Sequence, residues 1–130
     1  MRTVARGRLV PALVLALLLL GGCGLFSDVA DSVDDLYDRA PQLDQGTALA
    51  YTAPGPPSVV ATQITNAQQA ISRAPVADRV YLQYDDHLVR VEPSPSGSTV
   101  LVDDYANGYR RWAADVSPVF GAQPPTDEGK

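Results

Sequence analysis

The stretch Asp85-Asp86-His87 contains the only histidine of the chain, next to two acids. These residue types can act as general acid and base or can bind a metal ion. Asp103 and Asp104 can join them if their strands pair suitably. Neighbouring side chains in a strand point apart, and a metal ion needs further ligands. We therefore favour a solvated hairpin turn over a catalytic or metal site.

A second candidate site combines Arg110, Arg111 and Trp112 with two nearby tyrosines. Arginine binds carboxylates with two parallel hydrogen bonds, and aromatic rings offer stacking surfaces, so an anion or a glycan is one possible ligand. In the other interpretation, which we favour, Trp112 fills the core and the arginines pair with Asp103 and Asp104. The chain has no Gly-x-Ser-x-Gly elbow and no Gly-rich phosphate loop. We predict no enzymatic activity and no cofactor.

The most specific chemical signal is the single cysteine of the chain. It follows three arginines in the first eight positions and the 12-residue apolar run Leu9–Leu20. A helix of that length spans about 18 Å, less than the ~30 Å hydrocarbon core, which predicts a signal peptide rather than a membrane span. The next residues resemble the bacterial lipobox, whose cysteine thiolate accepts a diacylglyceryl group. The box consists of Leu20, Gly21, Gly22 and Cys23.

Charge is distributed unevenly along the 130 residues, whose formal net charge is −5. From Cys23 onward, seven basic residues stand against fifteen acidic ones, which gives −8. This acidic body argues against a nucleic-acid partner, which needs a basic face. One cysteine excludes an internal disulfide and a cysteine-based zinc site. Because the N-terminal arginines stay in the cytoplasm, we expect a lipid-anchored protein on the extracytoplasmic side of the cell membrane.

Two amphipathic helices are predicted in the mature chain. Apolar residues recur at helical spacing from Phe26 to Ala40, with Ser27 as N-cap and Pro41 as the stop. The acidic face of this helix is interpreted as solvated. The segment 42–57 is rich in Gly and Pro and is predicted to be an irregular loop.

The second helix is predicted to begin after an N-cap at Ser58. Its apolar stripe runs from Val60 to Ala74, and Pro75 is expected to end it. From Arg79 the apolar period changes from helical spacing to two, which indicates strands. This change separates a helical half of the domain from a half made of strands.

Three strands are predicted at Arg79–Tyr84, Leu88–Glu92 and Thr99–Asp103. The pair Asn107-Gly108 predicts a tight hairpin turn leading to a fourth strand. That hairpin would place Asp104 opposite Arg111 as a cross-strand ion pair. Helices and strands in separate blocks predict an α+β fold, in which two helices cover one face of a three- to four-stranded antiparallel meander.

The predicted domain organisation follows from these segments. Residues 1–22 are the lipoprotein signal peptide, 23–26 a lipidated tether, 27–120 a single small α+β domain, and 121–130 a polar tail that is expected to be disordered. The ordered part is small and has no disulfide, so we expect marginal to moderate stability.

Four stretches resemble the family called domain of unknown function 4247: Pro57–Ala61, Tyr81–Asp86, Gly97–Val102 and Gly108–Trp112. The resemblance covers most of the chain from Ser27 to Gly121. Members of that family are small predicted lipoproteins of actinobacteria and related Gram-positive bacteria. The resemblance implies no activity, and it implies at most a membrane partner or a link to polyamines.

Three functional classes remain open. The first is a membrane-tethered interaction module, with a protein partner in the envelope or a role as accessory subunit of a membrane protein. The second is a binder of a small cationic ligand, such as a polyamine or a metal ion, through the acidic surface. The third is a small envelope enzyme. We favour the first class, because it needs only an exposed apolar or aromatic patch, which the six tyrosines can supply, and because no catalytic constellation is visible.

Overall fold

A computed structural model describes residues 28–121 of the protein. The signal peptide at 1–22, the tether at 23–26 and the tail from 122 onward lie outside the described residues. The predictions made for those segments, including lipidation of Cys23, therefore stay predictions. None of the described helices is long and apolar enough to cross a membrane.

One antiparallel sheet of six strands organises the described part of the chain. The strands are β1 (Asp38–Arg39), β2 (Leu49–Ala53), β3 (Ser72–Val76), β4 (Arg79–Gln83), β5 (His87–Ser94) and β6 (Gly97–Asp104). Their order in the sheet is β1-β2-β6-β5-β4-β3. The predicted meander is confirmed as β4-β5-β6, but the count of three to four strands is too low.

Four α-helices pack on this sheet within the described residues. They are α1 (Val29–Leu36), α2 (Pro57–Ala67), α3 (Tyr105–Arg111) and α4 (Ala113–Phe120), and a short 3-10 turn spans Pro41–Leu43. The fold is α+β, as predicted. The expectation that helices cover only one face is wrong, because α1 and α2 pack on one face and α3 and α4 on the other.

The central strand β6 shows why both faces are covered. Val100 and Val102 belong to the core beneath α1 and α2, whereas Leu101 belongs to the core beneath α3 and α4. All three side chains are buried. A strand with apolar residues on both sides must be covered on both sides. The continuous apolar run Val100–Val102 is the sequence feature that corresponds to this architecture.

The first helix is shorter than predicted. It ends at Leu36, and Tyr37 is already extended. Asp38 and Arg39 then pair with Thr52 and Tyr51 of β2. The periodic spacing up to Ala40 was misleading, because the last residues of that stretch satisfy their backbone groups in the sheet rather than in the helix.

The second helix also ends early, at Ala67. Residues 72–74, predicted as its last turn, belong to the edge strand β3. Pro75 lies opposite Val80 in this strand. A proline cannot donate to a sheet ladder, and an edge strand tolerates that loss. Pro75 therefore sits within a strand and does not stop a helix.

The predicted loop at 42–57 contains the strand β2. Leu49–Ala53 pairs along its length with residues 98–102 of β6. The short sequence Leu-Ala-Tyr-Thr-Ala has no strong strand signal of its own. Its pairing partner is distant in the chain, so the strand is defined by tertiary contacts.

The predicted hairpin at Asn107-Gly108 is wrong, because both residues lie in α3. Asp104 caps this helix, since its side chain accepts a hydrogen bond from the Asn107 N–H at 2.9 Å. Gly108 serves close packing: a Cβ there would lie 3.1 Å from Leu88 Cβ and 3.3 Å from Asp103 Cβ. A small residue lets the helix approach the sheet, and this requirement has no connection with a tight turn.

Candidate functional site

The turn between β4 and β5 carries the acids and the imidazole that the sequence singled out. Tyr84 N–H donates to the His87 carbonyl at 3.0 Å and closes this turn. The predicted turn is therefore confirmed for Asp85 and Asp86, whereas His87 is already the first residue of β5. The Asp86 side chain is 67% exposed, whereas the His87 side chain is only 19% exposed. Side chains of adjacent residues usually point apart, but His87 Nδ1 and Asp86 Oδ1 are only 2.9 Å apart.

One residue of this cluster, Asp28, was not among the site residues expected from the sequence. Asp28 is the N-cap of α1, and its Oδ1 accepts a hydrogen bond from the Asp31 N–H at 3.1 Å. Ligand atoms of Asp28, Asp86 and His87 all lie within 4.8 Å of one another. The local signal identified an acidic helix start, but only the packing of α1 against the sheet could show that it meets the β4–β5 turn.

Asp103 and Asp104 do not complete this cluster. The β5–β6 register pairs Asp104 with His87, but the Asp104 side chain caps α3. Asp103 pairs with Leu88, whose side chain belongs to the core beneath α3 and α4. Asp103 therefore points to the opposite face of the sheet from His87. Asp85 and Asp86 therefore lie at the β4–β5 turn, whereas Asp103 and Asp104 lie on the side of α3.

An ion pair with a buried carboxylate ties α3 to β6. Arg111 Nη2 donates to Asp103 Oδ2 at 2.9 Å, and the hydroxyl of Thr47 donates to Asp103 Oδ1 at 2.7 Å. The Asp103 side chain is 0% exposed. The prediction that Arg111 pairs with Asp104 is wrong. Its partner is Asp103, because the Asp104 side chain caps α3. Arg111 holds the fold together in this arrangement.

Trp112 is a core residue, as the favoured interpretation expected. It is buried beneath the sheet, with its ring centroid 6.0 Å from that of Tyr81. The Arg90 guanidinium lies 5.7 Å from the centroid of the Trp112 ring. Arg110 is exposed and bonds to Asn107 Oδ1 in its own helix. These contacts occupy the tryptophan, so it does not offer a ring face to a glycan.

An open groove of about 620 Å³ lies between α1, α2 and the segment that follows β2. Leu36, at the end of α1, is 46% exposed there. The Tyr37 hydroxyl donates to Gln63 Oε1 at 2.7 Å across the groove. Its lining residues are Leu36, Tyr37, Pro54, Gln63, Asn66 and Ala67.

The described residues thus form an α+β domain whose antiparallel sheet is covered by helices on both faces, with an acid–imidazole cluster and an open groove on its surface. The chain belongs to the family described as domain of unknown function (DUF4247), whose model matches residues 16–129. The resemblance expected from the four sequence stretches is confirmed. Neither a curated protein nor a solved structure matches the chain.

Proposed function

We propose that this protein is a membrane-anchored extracytoplasmic lipoprotein whose folded domain binds another protein of the envelope. The proposal assigns residues 1–22 to the signal peptide, lipid to Cys23, and the binding function to the α+β domain. The basic start, the 12-residue apolar run and the lipobox-like sequence Leu20–Cys23 support the anchor.

The observation that carries the proposal is the short distance between the proposed anchor and the first helix. Asp28 caps α1 and stands five residues after Cys23. Five residues span at most about 18 Å when fully extended. A lipid on Cys23 would therefore hold the domain directly at the bilayer surface, where it can meet the extracytoplasmic segments of membrane proteins.

The groove beside α1 is the surface that best suits such a partner. Leu36 supplies exposed apolar area, and three acids on or next to the same helix are exposed: Asp34, Asp35 and Asp38. An apolar groove beside a helix that carries exposed acids complements a segment with an apolar side chain flanked by basic residues. We assign this occupant to the extracytoplasmic part of a membrane protein.

Site-specific photo-crosslinking in intact cells tests this proposal. The crosslinker replaces Leu36 in one variant and Asp78 in a control variant, since Asp78 is exposed on the turn between β3 and β4. We expect a membrane protein to be captured at Leu36 and not at Asp78. We also expect the capture to weaken when Asp34 and Asp35 are both changed to Asn. Equal capture at both positions, or capture insensitive to the acids, would contradict the proposal.

A second candidate function is the binding of a small cationic ligand. The convergence of Asp28, Asp86 and His87 favours it, because these three side chains come from two separate elements. Asp28 and Asp86 also line a hollow of about 240 Å³, together with Asp85. Acids that share a concave surface attract cations.

A further inference from the structure

The N-terminal end of α1 meets the β4–β5 turn at a set of three metal-ligand side chains. Asp28 comes from the helix cap, Asp86 from the turn, and His87 from the first position of β5. Each offers one ligand atom, and the three atoms lie within 4.8 Å of one another. The set combines two carboxylates with an imidazole, so it differs from an ordinary cluster of surface acids.

The spacing of these atoms suits a first-row divalent metal ion. Three points separated by at most 4.8 Å lie within about 2.8 Å of a common centre. Zinc ligands lie about 2.0–2.2 Å from the ion, so small side-chain rotations close the site. Water can fill the remaining positions, and imidazole favours a transition metal over Ca²⁺ or Mg²⁺.

The individual side chains are placed to keep these ligands available. Asp28 uses Oδ1 for the helix cap, which leaves Oδ2 for an ion. His87 is largely buried, and its Nδ1 lies 2.9 Å from Asp86 Oδ1. The imidazole nitrogen and the carboxylate oxygen therefore already face each other, and an ion bound between them would take the place of this contact.

The local charge also favours a cation. Asp85 lines the same hollow as Asp28 and Asp86, which brings three carboxylates together. Among the ion pairs of residues 28–121, none joins these three acids to an arginine or a lysine. A bound divalent ion would offset this concentration of negative charge.

We propose that Asp28, Asp86 and His87 bind a divalent transition-metal ion, and that the ion fastens α1 to the sheet a few residues after the proposed lipid anchor. Zn²⁺ is the ion used to test this site. This inference rests on the second candidate function and names its ligand class. It is independent of the protein partner at the groove. Because the ion joins elements that are distant in the chain, its binding stabilises the folded state.

Calorimetric titration of the detergent-solubilised full protein with Zn²⁺ tests the inference. We expect saturable binding to one site, with the Kd raised at least about tenfold in His87→Gln and in Asp86→Asn. Asp28→Asn is expected to weaken binding while keeping α1 capped, because Asn is as good an N-cap as Asp. The comparison variant is Asp85→Asn, which removes a neighbouring charge but no ligand, so it should raise the Kd clearly less than His87→Gln or Asp86→Asn does.

A parallel titration with spermidine separates this inference from the function on which it rests. Spermidine binding without Zn²⁺ binding would overturn the metal site and leave cation binding standing. Absence of both would overturn both. If Asp85→Asn weakens Zn²⁺ binding as much as His87→Gln does, the attraction is a diffuse property of the acids and the site is wrong. Circular dichroism checks that each variant is folded.

Discussion

Replacing Arg111 by Met tests the assignment of the Arg110–Trp112 segment to the structure of the domain and not to ligand binding. The substitution keeps most of the aliphatic stem and removes the guanidinium. In the native fold that guanidinium lies 2.9 Å from an Asp103 carboxylate that is 0% exposed. The variant leaves this carboxylate without its cation, although the Thr47 hydroxyl and the Asp104 N–H still donate to it.

The size of the effect follows from the burial of the pair. Removing one partner of a buried ion pair costs about 3–5 kcal/mol, because the other charge stays desolvated. The Arg111 side chain is 27% exposed. Water can therefore reach part of the vacated place, and we expect a loss of about 2–3 kcal/mol in the free energy of unfolding. For a domain of this size that lowers Tm by about 10 °C or more.

Urea unfolding followed by circular dichroism measures this loss, with Arg110→Met as the matched control. Arg110 is exposed and, among residues 28–121, bonds only to Asn107 within α3, so its replacement should change stability by less than about 0.5 kcal/mol. The double variant Arg111→Met with Asp103→Asn should recover part of the loss, because no unpaired charge remains. Equal and small effects in both single variants would refute the structural role of Arg111.

Two further substitutions test other parts of the account. Burial raises the pKa of Tyr84 to about 12, whereas the pKa of an unfolded tyrosine is about 10. The folded state therefore holds the proton more tightly, and the free energy of unfolding should fall as pH rises between these values. In Tyr84→Phe this alkaline decline in the urea midpoint should be shallower, and an unchanged slope would contradict the shift. Gly108→Ala should destabilise by about 1–3 kcal/mol despite the better helix propensity of Ala, because the new Cβ would lie 3.1 Å from Leu88 Cβ. A higher Tm in this variant would show that α3 does not pack so closely.

Local patterns in the sequence sufficed for the meander. The strands on either side of Asp85-Asp86 alternate or run continuously apolar, and short turns separate them, so neighbours in sequence are neighbours in the sheet. The burial of Trp112 was also predictable, since a large aromatic residue in a small domain is an expected part of the core.

The secondary structure that the sequence did not predict depends on contacts between distant segments of the chain. Leu49–Ala53 becomes a strand because β6 offers it an edge, and Pro75 lies in a strand because β3 is at the other edge of the sheet. The pair Asn107-Gly108 resembles a turn, but in the folded domain the glycine lets α3 pack closely on the sheet. In the sequence Asp28 is only one acid at the start of a helix, and its meeting with His87 depends on where α1 docks.

Mass spectrometry of the N-terminal peptide of the mature protein tests whether a lipid on Cys23 anchors the domain. The membrane fraction of cells that express the full chain supplies the protein, and Cys23→Ser is the control. The account predicts that the mature chain begins at Cys23 and that this residue carries the mass of a diacylglyceryl group. An unmodified Cys23, or a mature chain that begins elsewhere, would contradict the lipid anchor.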